Sequence, residues 1–249
     1  MNESVFTGKS EVYALHRPQY SEEALEFIRR EVNITPDTLI ADIGAGTGIF
    51  TKQLSVLGCR VVAVEPNEDM RSRISDTAPD SEIISAPAER TGLPDHSVSL
   101  ITVATALHWF DQKLFAEECR RILTDSGKIL IIWNLSDKTA DIVKDLHELN
   151  LKYCEKYKAL FVEDPVLKDR SIDVTKEFLP NCKQASYEND QSFDLEGFVG
   201  NRLSYSYAPQ ENEVGYAEYA DALKSFFNEH QSEGKLTLPH FTHCFIGTV

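Results

Sequence analysis

The chain has 249 residues, 42% hydrophobic and 26% charged, with a formal net charge of −15. That length suits one domain able to bury a full core, and the composition is that of an ordinary globular protein. With no run of Lys and Arg to neutralise phosphates, the acidic balance excludes nucleic acids and anionic membrane surfaces as expected partners; its expected role is solubility.

In chain order, the first strong element is the apolar run 39–43, which contains Asp42. Glycines at 44, 46 and 48 follow, then residues 49–54, which read as a helix. The next apolar run, 60–64, ends on Glu65. Strand, glycine turn, helix, strand, acid is a layout that holds an adenosine-bearing cofactor. The glycines let the backbone pass close to a ligand, and Glu65, 17 residues beyond Gly48, is placed to take both ribose hydroxyls. A tight strand-to-helix turn without a ligand would use the same glycines; Asp42 and Glu65 at these offsets favour binding. The spacing is G-x-G-x-G, whereas a dinucleotide site uses G-x-G-x-x-G, with its third glycine where Ile49 stands.

Asn67 then opens a helix with acids in its first turn. Residues 82–85 read as a third strand and 98–104 as a fourth. Asp111 caps a helix on which Leu114, Phe115, Cys119, Ile122 and Leu123 recur at helical spacing; Ser126-Gly127 ends it, and 128–133 is a fifth strand. This alternation predicts a parallel sheet covered on both faces. Beyond it, 137–158 reads as one long amphipathic helix and 164–178 as a polar, mixed stretch. A sixth strand is expected at 182–187, helices at 193–201 and 211–230, and a closing strand at 241–249. No linker divides the chain, so one domain over 1–249 is expected, with a cofactor core at about 36–135 and cover elements at 1–35 and 136–230. Five scattered cysteines without C-x-x-C pairs fit neither a disulfide framework nor a zinc site. Together with a polar segment 1–10 lacking a secretory signal and no apolar stretch of spanning length, they predict a cytoplasmic protein.

The pattern Asp42-x-Gly44-x-Gly46-x-Gly48 resembles motif I of the class I S-adenosylmethionine methyltransferases. The segment Ala86-Pro87-Ala88-Glu89, followed by Leu93-Pro94-Asp95, looks like that family's adenine loop, with Pro87 where an aspartate usually meets the adenine amino group. His108-Trp109-Phe110 and the Tyr13-x-x-x-Arg17-Pro18-x-Tyr20 segment resemble the family's small-molecule branch, which includes trans-aconitate methyltransferase-like and quinone-biosynthesis-like enzymes.

The resemblance implies an α/β fold: a Rossmann-like, seven-stranded, mostly parallel sheet with helices on both faces, an antiparallel final strand at its edge, and a helical cover inserted in the C-terminal half. It implies S-adenosylmethionine as cofactor, held by Asp42, Gly44, Ala45, Gly46, Thr47, Gly48, Glu65, Pro66, Met70, Ala88, Glu89, Ala104 and Thr105. A small-molecule substrate would meet Tyr13, Arg17, Tyr20, Trp109, Arg202 and Tyr205. Arg17 can pair with the methionine carboxylate of the cofactor or with an acidic substrate. His108 is the candidate general base, since an imidazole with a pKa of about 6.5 accepts a proton near neutrality; a histidine packed beside the strand end is the alternative. No metal is expected, because the fourth and fifth strands do not end in an acid cluster. The implied reaction is methyl transfer to a small-molecule oxygen, carboxylate or hydroxyl. A non-catalytic cofactor-binding module and a nicotinamide-dependent oxidoreductase are the competing readings.

Overall fold

The computed structural model describes residues 17–162 and 171–249. Tyr13 lies outside the described residues. The core strands are β1 (Leu39–Ile43), β2 (Arg60–Val64), β3 (Glu82–Ile84), β4 (Val98–Ala104) and β5 (Leu123–Ser136). They are joined by β6 (Lys183–Glu188) and, after the short β7 (Gln191–Phe193) and β8 (Leu236–Leu238), by β9 (His240–Gly247). Seven of them form one sheet in the order β3-β2-β1-β4-β5-β9-β6, and β7 pairs with β8 separately. Strands β1 to β5 run parallel, while β9 is antiparallel to both β5 and β6.

All five residues of β1 are buried, as a strand covered on both faces requires. Alternate residues feed two cores. Ala41 and Ile43 join Val62, Val64, Ile101, Val103, Ile129 and Ile131 on one face. Phe115, Cys119 and Ile122 of helix Gln112–Ile122 cover that face. Ile40 joins Val61, Leu100, Leu130 and Ile132 on the other, beneath Ala24, Phe27 and Ile28 of helix Glu22–Glu31 and Phe50 and Leu54 of helix Ile49–Ser55. A third cluster, including Leu146, Phe198, Tyr219, Leu223 and Phe226, belongs to the helices of the C-terminal half. Among the described residues, no helix is long and apolar enough to cross a membrane.

Four expectations are corrected. The closing strand is not at the edge: β9 lies between β5 and β6. The edge falls to β6, whose sequence Lys-Gln-Ala-Ser-Tyr-Glu has no buried position, the polar pattern an unpaired border tolerates. The single helix expected at 137–158 is two, Asp141–Tyr153 and Glu155–Val162. Cys154 between them is extended (φ −115°, ψ 99°), and it and Tyr157 are buried in the third cluster. The helix that Asp111 caps ends at Ile122, so Ser126 and Gly127 lie within β5, with a register irregularity against β4. Residues 171–178, expected as part of an irregular stretch, form a helix; the remainder of that stretch, 163–170, is outside the described residues. The pair β7–β8 was not expected.

Candidate active site

At the end of β1 the chain turns through Gly44, Gly46 and Gly48, with φ of +70°, +58° and +85°, values that only glycine adopts without strain. Gly44 is also confined by space: a Cβ there would lie 2.9 Å from both Ala106 Cβ and Phe110 Cζ. The Gly44 and Ala45 amides both donate to the Val64 carbonyl, at 2.8 and 3.2 Å, which ties the turn to the end of β2. Glu65, 7% exposed, follows directly. Its carboxylate accepts from the Gly46 amide at 2.8 Å and the Asn67 amide at 2.9 Å. Burial raises its pKa and outweighs the lowering by those amides and by Arg71. Met70 sits beside the turn, its Cε 3.7 Å from where a Gly46 Cβ would be.

Asp42 is brought beneath the turn and not into the cleft above it. Fully buried, it accepts from Thr51 Oγ1 at 2.6 Å and Thr102 Oγ1 at 2.8 Å, joining β1 to the following helix and to β4. Burial pushes its pKa up to about 6 against the pull of those two hydroxyls.

Above the turn lies a cleft walled by Arg17, Pro18, Tyr20, the segment 44–47, Ile49, Phe50, Ala104, Thr105, Asn134, Gln191, Tyr205 and His240. Several contacts hold the entry segment across it. The Tyr20 amide donates to Gln53 Oε1 at 2.9 Å, Gln53 Nε2 returns a bond to the Tyr20 carbonyl at 2.8 Å, and the Tyr20 hydroxyl meets Thr105 Oγ1 at 2.8 Å. Asn134 and Asn189 both donate to the Gln19 carbonyl, at 3.0 and 2.9 Å. Thr105 has φ +55°, a left-handed conformation that costs a β-branched residue about 1–2 kcal/mol. The surrounding fold imposes this strain on the cleft floor.

On the cover side, Arg17 Cζ lies 3.8 Å from the Tyr205 ring centroid, and its Nε donates to Ser204 Oγ at 3.1 Å. Arg202, 4% exposed, stands behind Tyr205 and donates to its hydroxyl at 2.9 Å and to Asn201 Oδ1 at 3.0 Å. Burial raises the Tyr205 pKa, but the two guanidiniums and the Arg202 hydrogen bond outweigh it, and the net shift is downward. His240 Nδ1 is 2.9 Å from the Leu238 carbonyl, and its Nε2 is 2.9 Å from Ser136 Oγ. A carbonyl can only accept, so Nδ1 carries the proton. Burial lowers the His240 pKa to about 4, which keeps the ring neutral near pH 7.

Among the described residues, two buried side-chain polar atoms have no hydrogen-bond partner: Thr47 Oγ1 and Gln191 Nε2. Both residues are on the cleft wall. An orphaned hydroxyl in the glycine turn is what a site completed by a polar ligand would leave, and the residues present therefore fit S-adenosylmethionine. Thr47→Val is expected to leave thermal stability unchanged or slightly raised, and to weaken S-adenosylmethionine binding by roughly three- to tenfold. Differential scanning fluorimetry and calorimetric titration on the same preparation check both halves.

The remaining expected residues are not on this wall. Gly48 ends the turn as N-cap of helix Ile49–Ser55. Ala88 is buried in the sheet core, and Glu89 accepts from the Asp111 amide at 2.8 Å. The loop beyond is anchored by Glu118, which takes the Thr91 amide and hydroxyl at 2.7 and 2.6 Å. His108 is exposed, in a one-turn 3-10 helix, with its ring 4.8 Å from Trp109 and 5.5 Å from Trp133. The structure thus brings Arg17, Tyr20, 44–47, Ala104, Thr105 and Tyr205 together and leaves His108 and Trp109 outside. Asn134, Gln191 and His240 were missed. A polar residue directly after the apolar run 128–133 is a usable signal for Asn134; the other two belong to strand pairings that local pattern does not reveal.

Residues 41–131 match the family model described as a methyltransferase domain. A protein of Dictyostelium discoideum named as a methyltransferase is 30% identical over 223 residues, covering 87% of this chain and 79% of that one. Uncharacterized methyltransferases of Mycobacterium bovis and Mycobacterium tuberculosis are 32% identical over 137 residues, 55% of each chain; the chain spans about half the length of these relatives. Among solved structures, one from Anaeromyxobacter dehalogenans, assigned as a type II methyltransferase, superposes with a TM-score of 0.67 at 22% identity, covering 93% of this chain and 97% of that one. One from Anabaena variabilis, assigned as a methyltransferase of an antibiotic biosynthesis pathway, gives 0.61 at 20% identity, covering 92% and 98%. These two likenesses speak for the fold. The chain belongs to the class I S-adenosylmethionine-dependent methyltransferases. That fold implies use of S-adenosylmethionine.

Proposed function

We propose that this protein methylates an oxygen of a small-molecule acceptor, a carboxylate or a hydroxyl, with S-adenosylmethionine as the donor. The carrying observation is that the glycine turn, the orphaned Thr47 hydroxyl and a cover of polar side chains meet in one cleft. The net charge of −15 supports a small acceptor over a nucleic acid.

When bound, S-adenosylmethionine supplies a methyl group already activated on a positively charged sulfur. The protein's part is alignment and exclusion of water. In this reading the 44–47 turn and Glu65 hold the cofactor. Tyr20, locked to Thr105 and Gln53, closes the entry side, while Tyr205 and Arg17 wall the acceptor side. The place in the small-molecule branch rests on the Arg17-Pro18-x-Tyr20 segment, whose Arg17 and Tyr20 both face the cleft.

A base is needed only when the acceptor is protonated at working pH. A carboxylic acid, with a pKa near 4, is already ionised at neutrality; a phenol, near 10, is not. His108 is the candidate base by resemblance, but its position against Trp109 and Trp133, off the cleft wall, supports an acceptor that needs none. His108→Ala is therefore expected to lower turnover by less than about tenfold, short of the 10²–10⁴-fold that general-base catalysis contributes. The proposed activity is tested by incubating the protein with methyl-labelled S-adenosylmethionine and pools of small acids and phenols, following label transfer and S-adenosylhomocysteine release. Absence of transfer to every pool would sink it.

A further inference from the structure

Building on the methyl-transfer reading, we propose that the acceptor carries a carboxylate, anchored on the cover side of the cleft by Arg17 and Gln191, with Arg202 as a positioning residue behind Tyr205. Three observations converge. Gln191 is 6% exposed, and its amide nitrogen, buried at the cleft wall, has no acceptor among the described residues. A buried donor without a partner is unfavourable, so such groups in native structures ordinarily find one; here a ligand oxygen is the missing acceptor.

The second observation is Arg202. Its guanidinium is nearly inaccessible, yet the atoms it bonds, Asn201 Oδ1 and the Tyr205 hydroxyl, are neutral, and it forms no ion pair among the described residues. A buried cation is ordinarily paired with an anion, and this chain has 40 acidic residues against 25 basic ones from which to supply one. None is used here. Third, Arg17 adds a second guanidinium over the same Tyr205 ring and itself lines the cleft. Two cations and an amide donor gathered round one wall form a complement to an anion. A planar carboxylate matches both the guanidinium fork and the amide. It is also ionised without a base, which accords with His108 lying elsewhere.

The experiment is calorimetric titration of the protein saturated with S-adenosylhomocysteine. The probes are butyrate, benzoate, succinate, glutarate and citrate, each against its amide, with phenol and phenyl phosphate alongside. The expected result is binding of at least one acid, with its amide at least tenfold weaker. Gln191→Leu is expected to weaken that acid about fivefold or more while S-adenosylhomocysteine affinity stays within twofold. Gln191→Glu, which sets a like charge at the wall, should abolish acid binding. Arg202→Lys should retain most of the affinity that Arg202→Gln loses, which a purely steric role would not produce.

Binding of S-adenosylhomocysteine without any acid would overturn the proposal and leave the methyl-transfer reading standing. Loss of S-adenosylhomocysteine affinity in Gln191→Leu, with acid affinity unchanged, would reassign the anion to the cofactor's own carboxylate. Binding of phenyl phosphate in place of the acids would reassign it to a phosphate. Failure of S-adenosylhomocysteine itself to bind would overturn both readings.

Discussion

Glu65→Ala is expected to weaken S-adenosylmethionine binding by tenfold or more. Hydrogen bonds to a charged group are worth about 1.5–3 kcal/mol each, and a carboxylate at the end of β2 can accept from both ribose hydroxyls. Glu65 also has a task in the protein alone, since its two oxygens take the Gly46 and Asn67 amides. Alanine therefore loosens the glycine turn as well as removing a ligand contact. Glu65→Gln separates the two: it keeps one acceptor oxygen for the turn and loses the charge. Calorimetric titration should rank affinity as wild type, then glutamine, then alanine. Equal affinity in all three would remove Glu65 from the cofactor site.

The second large effect is on stability, and it depends on pH. Asp42 has an ordinary value of 3.8 that burial raises to about 6 in the folded protein. The folded state therefore holds a proton that the unfolded chain has released between those two values. The stabilisation is complete below 3.8 and is lost as pH rises through about 6; the full span corresponds to about 3 kcal/mol. Asp42→Asn has no such titration, and its amide oxygen still accepts from one threonine hydroxyl. Urea unfolding of both proteins should show the wild type gaining on Asp42→Asn by about 1 kcal/mol or more between pH 7.5 and pH 5. A difference independent of pH would show that Asp42 is not held in the buried, hydroxyl-bonded state described above.

The two halves of the chain differ in how openly their sequence declares their structure. Strands β1, β2, β4 and the 128–133 part of β5 are apolar runs closed by a glycine, an acid or a turn, and a strand buried on both faces leaves that mark wherever it lies. The glycine turn is legible because its left-handed backbone and the space taken by Ala106 and Phe110 admit little but glycine. The cover obeys different physics. Gln191 reaches the cleft because a three-residue strand pairs with residues 236–238, a contact across the length of two helices that no local periodicity encodes. Cys154 interrupts a continuous helical pattern because tertiary packing of Cys154 and Tyr157 outweighs local propensity. His108 has the right offset from β4, but the 3-10 turn at Leu107–Trp109 sets its ring beside Trp133 instead. Charge balance shows a parallel divide: the net −15 is plain from composition, while the burial of Arg202 with no ion pair among the described residues appears only once the chain is folded.

The central claim is that the cleft over Gly44–Thr47 takes S-adenosylmethionine, and calorimetric titration with S-adenosylmethionine, S-adenosylhomocysteine, NAD and NADP tests it directly. Binding of the first two alone, at micromolar concentrations, is the predicted result. Binding of neither, or preference for a nicotinamide nucleotide, would contradict it, together with every role assigned here to the glycine turn, Glu65 and the cover.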